Sequence, residues 1–165
     1  MRYIFLGLFL ILFSGCVKES YDITPIKEFP KSNIKVLPFA NFTQNPMAGY
    51  KVAGILEGVL KANNFNLKGS LWDFEEKEYS IEDIKNLIQK ANSRYIITGY
   101  VNEFKYKVGI DGEPAISITM KIFDKLKNRY IYTATFSRVG DTYGSITQLT
   151  QEGFENTLSD SIIEE

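Results

Sequence analysis

The densest run of residues able to do chemistry is Tyr106-Lys107-Val108-Gly109-Ile110-Asp111-Gly112-Glu113-Pro114. Asp111 and Glu113 stand at a tip bracketed by glycines and a proline, where Asp-Gly supplies a positive-φ position and Pro114 opens a returning strand. A glycosidase pair would need carboxyls about 5–9.5 Å apart across a sugar cleft, one of them with a raised pKa. Neighbours on an exposed turn lack the desolvation that raises a pKa, so the pair reads as solvated charge and not as a catalytic dyad. A second cluster, Asp73, Glu75, Glu76 and Glu78 followed by Glu82 and Asp83, has only Lys77 and Lys85 near it. It is either a solvated loop and helix start or a negative patch that attracts a cationic ligand. The third candidate, Gly140-Asp141-Thr142-Tyr143-Gly144, holds one aromatic between glycines: a surface turn, or a ring placed among lipid headgroups. With no histidine and one cysteine in 165 residues, a zinc site, a Ser-His-Asp triad and a Cys-His dyad are excluded. The 19 basic and 20 acidic side chains argue against a nucleic-acid binder.

The lone cysteine has a context of its own. A positive start at Met1-Arg2-Tyr3 precedes an apolar run over 4–13 and the small residues Ser14-Gly15. These are the parts of a secretory signal, and the run is too short to span a bilayer as a helix. Leu12-Phe13-Ser14-Gly15-Cys16 resembles a bacterial lipobox, which implies cleavage before Cys16, a diacylglyceryl thioether and an acylated (palmitate-type) amino group. Val17, rather than Asp, follows the cysteine and favours the outer membrane over retention at the inner one.

Elements must hold these residues in place. The domain plan is a signal over 1–15, a lipidated tether over 16–33 and one α/β domain over 34–165. The 14% aromatic content is that of a chain with a real core. A strand is expected over 34–39, and Pro46 is expected in the first turn of a helix that buries Val52, Ile55, Leu56, Val59 and Leu60. A strand over 65–72, broken at Gly69, follows. Ser80 caps the next helix, with Asp83 at the capping-box position. Strands are expected over 95–106, 115–123 and 129–138, joined by hairpins, and an amphipathic helix over 145–159. The order β-α-β-α-β-β-β-α predicts a mixed sheet with helices packed on it.

Val36-Leu37-Pro38-Phe39, Pro46-Met47-Ala48-Gly49, Arg94-Tyr95-Ile96-Ile97-Thr98-Gly99 and above all the stretch from Tyr106 to Ala115 resemble the PelC family, outer-membrane lipoproteins of Pel exopolysaccharide export in biofilms. The first and third stretches are shared with a wider group: the synthase activator LpoB, the curli lipoprotein CsgG and the TolB N-terminal domain. The resemblance implies a fold like that TolB domain and no enzymatic activity or cofactor beyond the lipid on Cys16. It further implies a homo-oligomeric ring, dodecameric in the family, on the periplasmic side of the outer membrane, partnered with the porin PelB. Such a ring would guide a cationic polysaccharide, with Asp111 and then Glu113 as the guiding acids and Arg94 and Tyr143 near the membrane. The competing reading is a monomeric LpoB-like lipoprotein that activates a peptidoglycan synthase.

Overall fold

The computed structural model describes residues 18–24, 26, 29–106, 112–141 and 143–159. Its frame is an antiparallel meander of three long strands, β4 (Tyr95–Lys105), β5 (Ala115–Asp124) and β6 (Arg129–Val139). β5 alternates apolar and polar residues, as does β6 from Tyr132 to Ser137, so the pleat sends Ile116, Ile118, Met120 and Ile122 to one face with Tyr132, Ala134 and Phe136 beside them. β2 (Ile34–Val36) and β3 (Ala40–Asn41) pair in parallel with β4, as expected for a crossover through helices. The mixed sheet with helices on it is therefore the one the sequence implies.

Helix α1 (Ala48–Ala62) and helix α3 (Ile146–Ser159) cover the apolar face. Phe136, Phe154 and Phe39 stack edge-to-face there, with centroids 5.1 and 6.4 Å apart. Gly153 is required by that packing, because a Cβ would enter the Phe136 ring. Gly153→Ala should lower the unfolding free energy by about 1–3 kcal/mol in a denaturant titration. Helix α2 (Ile81–Lys90) covers the opposite face at one end only, over Leu37, Ala40 and Ile96. Ser80 and Asp83 form the capping box that the sequence predicts. Beyond α2 the second face carries paired hydroxyls, Thr119 with Thr135 and Ser117 with Ser137, each pair 2.9 Å apart.

Three expectations change. The 65–72 stretch is not a strand: Leu67 makes a single bridge to Ile34, and Leu71–Asp73 is a 3₁₀ turn. The cause is competition, since Gly69 takes a positive φ of 76° and Ser70 and Asp73 close a capping box. Pro46 is not in the first turn of α1. It lies in the turn before, where Met47 takes a φ of 64° and caps the helix. The stretch read as tether contains β1 (Lys18–Ile23), which adds to the edge of β6 with Lys18 opposite Val139 and Tyr21 opposite Phe136. Tyr21 and Ile23 pack on the core, so even this polar segment has an apolar face to bury.

Candidate functional site

The register puts one row of residues at one end of the sheet. Val139 pairs with both Lys18 of β1 and Ala115 of β5, and Ala115 pairs with Lys105 of β4. The candidate residues that fall among the described ones and lie at this rim are Glu113 and Tyr143. Cys16 and Asp111 lie outside the described residues. Glu113 is exposed next to the buried Pro114, whose carbonyl accepts the Gly140 amide at 2.9 Å. Gly140 is pressed between Pro114 and Leu149: a Cβ there would lie 3.1 and 2.8 Å from them. Pro114, the residue after Glu113, and the loop after β6 are thereby locked together.

That loop is held by Asp141, whose Oδ1 accepts the amides of Tyr143 at 2.9 Å and Gly144 at 2.5 Å. This turn chemistry leaves Tyr143 95% exposed, with no ring contact among the described residues. Just inside the rim, the buried Arg138 joins β6 to its neighbours. It pairs with Glu19 of β1, with Glu152 of α3 at 3.0 Å, and donates to the Leu149 carbonyl at 3.4 Å. Reading the sequence did not find this triad, because its members come from three distant segments.

Arg94 is elsewhere. It precedes β4, next to the Tyr95–Asp124 pair, at the end of the sheet opposite Tyr143. Ten residues of β5 separate the two ends, about 30 Å at ~3.3 Å per residue. Its guanidinium stacks on Tyr95 at 4.7 Å and reaches the buried Asp124 carboxylate at 3.5 Å.

The acidic cluster is largely spent on structure. Asp73 pairs with Lys35 at 3.1 Å and closes its capping box, which holds its carboxyl below the ordinary aspartate range. Glu78 accepts the Met47 amide at 2.6 Å and so steadies the start of α1. Asp83 caps α2, and the Ser80 hydroxyl and amide keep its carboxyl low as well. Glu75 faces Lys77 at 3.1 Å. Of the two readings of this cluster, helix and turn capping accounts for most of it. The buried carboxylate of the region is Glu57, also missed: it accepts Lys61 at 2.5 Å, Ser70 at 2.8 Å and the Leu71 amide at 2.5 Å, clamping the 3₁₀ turn onto α1. No group of three or more metal-ligating side chains occurs among the described residues. No helix among them is long and apolar enough to cross a membrane.

The architecture is shared with solved proteins. PelC from Paraburkholderia phytofirmans, solved as a dodecamer, superposes with a TM-score of 0.69 at 21% identity, covering 89% of this chain and 100% of that one. The chain has the PelC fold. The lipoprotein GNA1162 from Neisseria meningitidis is a more distant relation in shape, with a TM-score of 0.54 at 14% identity over 80% of this chain and 100% of that one. No protein-family model and no curated protein matches the chain. The PelC fold therefore stands on structure, in agreement with the stretch around Asp111 and Glu113 that resembles that family.

Proposed function

We propose that the chain is a lipoprotein, anchored through Cys16 on the periplasmic side of the outer membrane, whose copies close into a ring. The ring guides a cationic exopolysaccharide to an outer-membrane porin of the PelB kind, and no catalytic role is assigned to it. The observation that carries the reading is the PelC fold over the whole of a protein that assembles as a dodecamer. The rim supports it. Cys16 is two residues before Lys18, a reach of about 7 Å at most, so a lipid there keeps the Val139 end of the sheet at the membrane. Glu113 and Tyr143 lie at that same end, the acid where a pore mouth would be and the ring where headgroups would be. Arg94 lies at the other end of the sheet from that contact. One exposed carboxylate attracts a polycation weakly, by about 0–1 kcal/mol. Repeated around one opening, it focuses the field and still lets a polymer slide.

Light scattering on the chain without its first 16 residues should give a many-subunit mass. Asp111→Lys with Glu113→Lys should cut secreted polymer severalfold at unchanged protein level. A monomer that captures a peptidoglycan synthase, or normal secretion by the double variant, would overturn the reading.

A further inference from the structure

At the end of the sheet away from β1's start, a cavity of about 630 Å³ opens between the 30–32 segment and the β5–β6 hairpin. Lys31, Arg94, Lys127 and Arg129 line it, and Asp124 is the one carboxylate among the described residues of its lining. That carboxylate is already engaged: it is 1% exposed and accepts the Leu126 amide at 2.9 Å and the Lys127 amide at 3.3 Å, besides Arg94. Among the described residues, Lys31, Lys127 and Arg129 form no ion pair. Among the described residues, Arg94 Nε is buried without an acceptor, and the ion pair that Arg94 makes with Asp124 is long at 3.5 Å. In a chain with a formal charge of −1, this is a local excess of cations around a concave, partly desolvated space.

We infer that this cavity is an oxyanion site, taking a phosphate or carboxylate group on a ligand larger than a single ion. Tyr95 and Asp124 hold the Arg94 guanidinium from two sides, and a held fork suits a two-oxygen acceptor. Lys31, Lys127 and Arg129 line it from two other segments and add positive charge, and the volume is in the range of small-ligand sites. The acidic rim is about 30 Å away, several screening lengths, so it does not cancel this field. The inference is independent of ring formation and of the lipid.

The test titrates inorganic pyrophosphate into the chain without its signal, by calorimetry and by the guanidinium Nε–H shift of Arg94. Binding should weaken at least tenfold in Lys127→Ser/Arg129→Ser, which leaves the Arg94–Asp124 pair intact, with the melting temperature unchanged. Arg94→Lys should also weaken it while keeping a charge beside Asp124. Undiminished binding in the double variant, or none by about 10 mM, overturns the proposal. Phosphatidylglycerol vesicles separate the sources. Capture that also needs Lys127 and Arg129, alongside pyrophosphate binding, supports the site with a lipid phosphate as its ligand. Pyrophosphate binding alone supports it with a soluble or polymeric anion, and vesicle capture alone overturns it.

Discussion

Arg138→Met should lower the unfolding free energy by about 2–4 kcal/mol and release β1 ahead of the rest of the sheet. Breaking a buried ion pair from one side typically costs 3–5 kcal/mol, because a charge is left buried without its partner. Here the stranded groups are Glu19 and Glu152, whose side chains are 29% and 40% exposed. They can rehydrate, which places the expected loss toward the lower part of that range. They do so by moving apart, and Glu19 is carried by an edge strand with one neighbour, whereas Glu152 is carried by a helix packed on the core. Hydrogen exchange should therefore quicken at the amides of β1 while those of β5 keep their protection. Uniform quickening across both strands would show that Arg138 supports the domain as a whole and not this junction.

The second large effect is expected at Asp124. Asp124→Asn should cost about 2–4 kcal/mol, because hydrogen bonds to a charged acceptor are worth about 1.5–3 kcal/mol each and the neutral amide weakens three at once. Burial opposes the charged carboxyl. The amides of Lys127 and Leu126, with the Arg94 guanidinium, outweigh it and hold the group below the usual aspartate range. The sign follows from linkage. A lowered folded-state pKa gives stability that is present above the unfolded value, about 3.9, and is lost as the pH falls through the folded value. Wild-type stability should drop below about pH 4, and the variant should show a shallower acid slope. An acid limb of unchanged steepness would assign that loss to Glu57, Asp73 and Asp83, whose carboxyls are held low too.

What could be read from the sequence depended on whether a residue's partner was local. β5, the inner part of β6, α2 and α3 declare themselves through periodicity, and the Ser80–Asp83 box is a four-residue signal. The 65–72 stretch misleads because Phe65, Leu67 and Leu71 alternate like a strand. The Leu71 amide goes to Glu57, fourteen positions earlier, instead of to a neighbouring strand. β1 is hidden for a related reason: only Tyr21 and Ile23 are apolar, and what makes it a strand is the free edge of β6. The Glu113 rim was legible from its turn residues. The basic cavity was not, since Lys31, Arg94 and the Lys127–Arg129 hairpin meet only after folding.

The pairing of β1 also decides how the molecule bears load. Tension applied through the chain ahead of Lys18, along the strand axis, is shared by the six paired positions from Lys18–Val139 to Ile23–Ala134 acting in shear. A pull across the sheet would instead open them one after another, like a zipper. If the proposed anchoring through Cys16 holds, load on the domain would run in this mechanically resistant direction.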